Sequence, residues 1–332
     1  MPYRRLVSWV GVLVTSLTLT VPAVASTGST YVALGDSYAS GAGLGPFLAG
    51  SGQCDRSTEA FPEVVARSLK GTRLDFVACA GATIAQIDAQ VSAARASLAR
   101  ASLVTLTAGG NDISFTDLLV ACLGVVSSPS SSSVRYLGTS SSPANCSSVV
   151  ASAARLLGGT LVATSGAVVA PPSLVATVLT TFSPLEQRLR TLVRSILAAS
   201  ATPGARVLVV SYPTLLVAHS GPTCRLSAAP LQINGSPAIY PVFTSLAARQ
   251  LVALNELLGR ETAAVVRTLR RTAARLSLVT APAFVPIDCG SGRSSDLNGL
   301  NIASLTSGGS FHPTARGQVV LANAVTAALG AS

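Results

Sequence analysis

Ser37 stands in Gly35-Asp36-Ser37-Tyr38, at the point where the apolar run Tyr31-Val32-Ala33-Leu34 stops. A buried strand that breaks into a tight turn presents its serine at the strand's carboxyl end, where open parallel sheets bind ligands. The block Cys79-Ala80-Gly81-Ala82-Thr83 follows the apolar stretch Leu74–Ala78, and Gly109-Gly110-Asn111-Asp112 follows Leu103–Thr107. Near the C-terminus, Phe311-His312-Pro313 carries one of only two histidines. A serine hydroxyl can attack, a glycine N–H and an asparagine amide can donate to a developing oxyanion, and an imidazole can take the serine's proton. Together they make up an acyl-transfer site.

These residues need a scaffold that gathers them. Strands are expected at Thr30–Leu34, Leu74–Ala78, Leu103–Thr107, Val207–Ser211 and Leu276–Val279. Each is short, nearly continuous in apolar character and rich in β-branched residues, as strands covered on both faces are. Helical segments are expected near Glu59–Leu69, Ile84–Arg100, Pro184–Ala199, Leu246–Arg275 and Pro313–Leu329. The alternation points to an α/β fold, one parallel sheet between helical layers with right-handed crossovers. If the strand order begins 2-1-3, the loops after the first three strands are neighbours, and Ser37, Gly81 and Asn111 meet.

The chain reads as one domain over residues 26–332, interrupted at about 124–182 by a stretch of different composition. Ser127–Ser148 is serine-rich and turn-like, and Leu156–Phe182 runs without charge, broken by Gly158-Gly159 and Pro171-Pro172. That second stretch suits core helices, or a hydrophobic wall or lid over the site, better than a membrane span.

Residues 1–25 read as an export signal. Arg4 and Arg5 precede the apolar run Leu6–Val21, and Ala23-Val24-Ala25 supplies a small-residue cleavage site after Ala25. Six cysteines suit an oxidising, extracellular compartment and form no Cys-x-x-Cys, so disulfides are expected and a zinc site is not. The formal charge of +10 is carried by arginine, Lys70 being the only lysine. The arginines are dispersed and aromatics few, which argues against nucleic-acid binding. Such a balance suits contact with an anionic lipid surface or cell wall. The arginine-rich Arg260–Arg275 segment reads as a solvated helix face.

Each site residue has a plainer alternative. Ser37 could cap a helix, Gly81 could merely permit a turn, Asn111 could cap a helix beginning near Ile113, and His312 could cap the last helix. Asp36 and Asp112 read as structural hydrogen-bonders, and His219 as structural or exposed. The glycine run Gly41–Gly45 ends in Pro46 where a nucleotide loop needs its third glycine. Gly-x-Ser-x-Gly is absent, against an α/β-hydrolase elbow.

The four blocks in order resemble the GDSL or SGNH hydrolases, named for their Ser, Gly, Asn and His, and most closely the secreted, disulfide-bonded bacterial esterases and lipases. The resemblance runs from the first strand to the last helix and covers Ser127–Phe182 poorly. It implies a flavodoxin-like three-layer α/β/α sandwich. It implies Ser37 as nucleophile, His312 as general base, and the Ser37 N–H, Gly81 N–H and Asn111 side chain as oxyanion hole. Nearest-neighbour disulfides, Cys54–Cys79, Cys122–Cys146 and Cys224–Cys289, also rest on it. The chain departs from the pattern twice. Tyr38 stands where the family name has leucine, and Gly309 occupies the place of the usual aspartate three residues before the histidine. A Ser37–His312 dyad, its histidine oriented by a backbone carbonyl at Gly309, is the expectation; a carboxylate from Asp288 or Asp296 is the alternative. The implied activity is carboxylic ester hydrolysis on an ester or lipid substrate, with no metal or organic cofactor and no obligate protein partner. A phospholipase, a carbohydrate O-deacetylase, or a non-catalytic envelope or lipid-binding module are the rival readings.

Overall fold

The computed structural model describes residues 28–136, 141–161, 168–169, 183–217, 221–227, 230–232, 237–289, 295–300 and 309–330. His219, most of 156–182 and the expected export signal lie outside them.

All five residues of Thr30–Leu34 (β1) are buried, so both faces of the strand are covered and neither is offered to water. Arg73–Phe76 (β2) and Ala101–Leu106 (β3) flank it in parallel. Leu34 lies opposite Leu106, and Ala33 opposite Phe76, so the three strands end nearly level. In chain order the remaining strands are Leu123–Val126 (β4), Arg135–Tyr136 (β5), Thr160–Leu161 (β6), Val168–Val169 (β7), Arg206–Val210 (β8), Thr223–Arg225 (β9), Tyr240–Thr244 (β10) and Leu276–Val279 (β11). The central sheet has the order β11-β8-β3-β1-β2, and every pairing in it is parallel. The expected 2-1-3 arrangement is present, and the crevice where strand order reverses opens beyond β1 and β3.

The helices are Ser37–Ser40 (α1), Phe61–Ser68 (α2), Ile84–Ala93 (α3), Arg95–Leu98 (α4), Phe115–Cys122 (α5), Pro143–Leu156 (α6), Pro184–Ala199 (α7), Ser245–Arg270 (α8) and Ala315–Gly330 (α9). Packing of α2 on α9 covers one face of the sheet; α3, α7 and α8, packed in that sequence, cover the other. The single helix expected over Ile84–Arg100 is two, because Ala94 leaves the helical path (φ −89°, ψ 9°) and turns the chain toward β3.

Composition conceals a second sheet, antiparallel, in the order β5-β4-β10-β9. Two parts of the stretch expected as serine-rich turns are regular structure, the short strand β5 and the start of α6. Ser142 caps α6 by accepting from the Asn145 N–H (3.1 Å), with Pro143 in the first turn, so the serine run supplies a helix start. The cysteines pair as Cys54–Cys79, Cys122–Cys146 and Cys224–Cys289. The first fastens the segment after α1 to the loop holding Gly81, where the Ala80 N–H also donates to the Cys54 carbonyl (3.0 Å).

Candidate active site

The turn after β1 is built by a glycine no other residue could replace. Gly35 sits at φ 139°, and a Cβ there would strike the Thr107 hydroxyl and stand 2.8 Å from the Thr107 carbonyl. Gln90 of α3 clasps the same residue, accepting from the Gly35 N–H and donating to its carbonyl, both at 2.9 Å. Asp36 then caps α1, its Oδ1 accepting from the Tyr38 N–H (3.1 Å) and the Thr107 hydroxyl (2.8 Å). Its Oδ2 accepts a short bond from the Tyr212 hydroxyl. Burial pushes the Asp36 carboxyl above its ordinary range, and these donors oppose the rise. Asp36 therefore shapes the turn, as expected, and Ser37 opens the helix.

His312 meets that serine. Its Nε2 lies 2.7 Å from Ser37 Oγ, and its Nδ1 lies 2.9 Å from the Ser310 carbonyl oxygen. A carbonyl only accepts, so Nδ1 carries the proton and Nε2 presents a lone pair to the Ser37 hydroxyl. The acceptor is Ser310, not Gly309: in the turn leading to His312 the carbonyl two residues back, rather than three, faces the imidazole. His312 does not cap the last helix, since the Thr314 hydroxyl accepts from the Gly317 N–H at that end (3.1 Å).

Neither alternative carboxylate is a partner of the imidazole. Asp296 is fully buried; its Oδ2 accepts from the Val285 N–H (2.7 Å) and its Oδ1 faces Arg316 Nε at 2.8 Å. Desolvation lowers the His312 pKa from 6.5 to about 4, opposed by the Ser310 bond. One side of the half-buried ring borders the cleft, so water moderates that shift, and the ring is neutral at pH 7.

The loops after β2 and β3 are stitched together. Asn111 lies in a one-turn 3₁₀ segment, Asn111–Ile113, and its Nδ2 donates to the Ala82 carbonyl (3.0 Å) rather than capping a helix. That leaves the second amide hydrogen of Nδ2 for another acceptor. Asp112 is structural: its Oδ2 accepts from the Ile84 N–H at the start of α3 (2.9 Å), and its Oδ1 forms an ion pair with Arg188 of α7 at 2.9 Å. Gly81 adopts the left-handed conformation (φ 76°) that only glycine takes freely. Among the described residues, no acceptor engages the backbone N–H of Gly81 or of Ser37.

Tyr212 is the residue that sequence reasoning missed. It follows β8 just as Ser37 and Asn111 follow theirs, and that strand-end position was the available signal. Its hydroxyl accepts from the Gly110 N–H (3.0 Å) while donating to Asp36, so one phenol ties the serine turn to the asparagine loop. Desolvation first, and the Asp36 charge second, hold its pKa well above the ordinary tyrosine value. Beside these residues opens a cleft of about 590 Å³, mouth included, whose apolar wall comes from Ile113, Phe115, Pro213, Leu215, Leu254 and Leu258.

A serine hydrogen-bonded to a neutral histidine, two unengaged backbone donors and an asparagine amide at the ends of neighbouring strands can perform acyl transfer. The sequence pattern of the GDSL-like Lipase/Acylhydrolase family matches residues 33–320. The chain belongs to that family. Among curated relatives, a lipase of Streptomyces rimosus is 44% identical over 93 residues, which is 28% of this chain and 34% of that lipase. Lipase 1 of Streptomyces coelicolor is 40% identical over 94 residues, again 34% of its length. The chain thus matches about a third of the length of these relatives. The structural likeness is broader. The extracellular lipase from Streptomyces rimosus superposes with TM-score 0.58 over 90% of this chain and 99% of that one, at 24% identity. Phospholipase A1 from Streptomyces albidoflavus NA297 gives TM-score 0.61 with the same coverage and identity. At such identity both establish the α/β/α fold of the GDSL family, with its central parallel sheet.

Proposed function

We propose that this chain is an exported serine esterase or lipase that cleaves carboxylic esters through an acyl-enzyme. The observation that carries the reading is the 2.7 Å contact of Ser37 Oγ with His312 Nε2 at the edge of an apolar cleft. Ser37 Oγ attacks the acyl carbonyl while His312 Nε2 takes its proton. The Ser37 N–H, the Gly81 N–H and Asn111 Nδ2 donate to the oxyanion of the tetrahedral intermediate. His312 then protonates the leaving alcohol, and a water, deprotonated in turn by His312, releases the acid and restores Ser37. The Ser310 carbonyl accepts from Nδ1–H, which orients the imidazole and favours the positive charge the ring gains when Nε2 takes the proton.

Three disulfides and the likeness to one lipase described as extracellular support export; the proposal includes cleavage after Ala25 and a mature domain over 26–332 with an insertion at about 124–182. The substrate is an ester or lipid. The arginine-borne charge would favour its presentation on an anionic lipid surface.

The apolar wall of the cleft favours an aliphatic acyl group over acetyl. A kcat/KM series on p-nitrophenyl esters from acetate to palmitate, with phosphatidylcholine and acetylated xylan alongside, tests this. We expect kcat/KM to rise from acetate into the medium-chain esters. Turnover confined to acetylated carbohydrate would make the protein a deacetylase, and preference for phosphatidylcholine a phospholipase.

The proposed role of Asn111 gives a graded expectation. Asn111→Ala should lower kcat by about 10²–10³-fold with a much smaller change in KM, as for an oxyanion donor engaged in the transition state. A loss of thermal stability at unchanged kcat would instead reduce Asn111 to a tie between two loops.

A further inference from the structure

Among the described residues no carboxylate bonds to His312, whose Nδ1 faces the Ser310 carbonyl, so its aim depends on the main chain of residues 310–312. That main chain is held in an unfavourable conformation. Phe311, immediately before the histidine, has φ 61°, a left-handed geometry that an aromatic residue adopts only when its surroundings impose it. Three contacts do so. The Phe311 N–H donates to the Asn298 carbonyl (3.1 Å). The ring, 2% exposed, stacks on Phe243 with centroids 5.8 Å apart. The Phe311 carbonyl accepts from the Tyr38 hydroxyl at 2.8 Å.

The third contact differs in kind from the others. Tyr38 is the residue after Ser37 on the one-turn helix α1, so its phenol links the serine's own backbone to the peptide that carries the histidine. Its ring also lies against the imidazole, with centroids 5.3 Å apart, and is braced edge-on by Tyr212 at 5.1 Å. Gln318 of α9 holds the other end of the residue, donating to the Tyr38 carbonyl (3.2 Å). A leucine in this position, as in the family motif, could fill part of the volume but could not bond to the Phe311 carbonyl.

We infer that Tyr38 is a positioning residue for His312: its hydroxyl secures the Phe311 peptide and so keeps Nε2 aimed at Ser37 Oγ without a carboxylate. The inference rests on the proposed Ser37–His312 reaction. The Ser310 carbonyl fixes the tautomer, and Tyr38 fixes the place of the loop from which the ring hangs. Displacing a catalytic group by about 1 Å can cost roughly 100-fold in rate, so a single hydroxyl can matter greatly here.

The test compares Tyr38→Phe and Tyr38→Leu with the parent enzyme on p-nitrophenyl butyrate, each rate divided by the concentration of sites that react with an organophosphonate. Two variants are measured so that a folding failure in one leaves the other. We expect kcat per reactive site to fall by about tenfold or more in Tyr38→Phe, with KM within about twofold. We further expect the low-field proton resonance of His312 Nδ1–H to broaden or vanish. A lowered Tm is expected of any lost buried hydrogen bond and does not bear on the outcome. Unchanged kcat per reactive site in either folded variant would overturn the inference, as would a loss explained wholly by fewer reactive sites. Ser37→Ala, run in parallel, separates the two levels. An active Ser37→Ala enzyme defeats the reaction scheme itself; an inactive one beside a fully active Tyr38→Phe defeats only the role of Tyr38.

Discussion

Replacement of Ser37 by alanine is expected to lower kcat for p-nitrophenyl esters by about 10⁴–10⁶-fold while the protein remains folded. Among the described residues, the side chain that is lost makes one hydrogen bond, to His312 Nε2. The turn that presents it is held by other groups: Gln90 on Gly35, Thr107 and Tyr212 on Asp36. Circular dichroism and Tm should therefore match the parent closely, and the effect should lie almost wholly in kcat. A folded Ser37→Ala protein that turned over esters at near the parental rate would falsify the assignment of the nucleophile.

His312→Ala should be comparably damaging, because the hydroxyl of Ser37 is a weak nucleophile until its proton has somewhere to go. The double variant should be scarcely worse than either single one, since two groups that act as a unit are lost together at the first substitution. Additive losses, measured as kcat in all three proteins, would mean that serine and histidine act in separate steps. The parent's pH dependence carries a second check. His312 must be neutral to act as base, and burial lowers its pKa toward about 4. The acid limb of kcat/KM should accordingly lie below the ordinary histidine value of 6.5. The sign for stability follows from the same shift: between 6.5 and about 4 the unfolded chain binds the proton that the folded one refuses. Stability is thus intact above 6.5 and is lost as pH falls through that window. An acid limb at or above 6.5 would contradict a buried, neutral base.

The parts of this site that could be read from sequence are those that depend on where buried strands stop. Tyr31–Leu34 and Leu103–Leu106 are buried on both faces and mostly apolar, so their ends are abrupt, and Ser37 and Asn111 follow within a few residues. Parallel register then makes those ends level, which is why 2-1-3 order sufficed to predict the convergence. The second sheet was not legible. Leu123–Val126 is a strand because it pairs with Tyr240–Thr244, more than 110 residues away, and with Arg135–Tyr136, and a four-residue apolar run has no periodicity to announce that. The carbonyl facing His312 was legible in kind but not in place: with no acid at Gly309, the resemblance favoured a main-chain acceptor over Asp288 or Asp296, yet selecting Ser310 requires the turn geometry around Phe311. Tyr212 was hidden for a similar reason, because its importance lies in two hydrogen-bond partners distant in sequence.

In the proposed reaction, ester cleavage runs through a covalent bond to Ser37 Oγ. Incubation with an organophosphonate, followed by intact-mass measurement, peptide mapping and residual activity on the same samples, tests it most directly. One phosphonyl group per chain is expected, on the peptide containing Gly35-Asp36-Ser37-Tyr38, with activity lost in proportion to labelling. Activity that survives complete labelling of Ser37, or inactivation with the label on another residue, would contradict it.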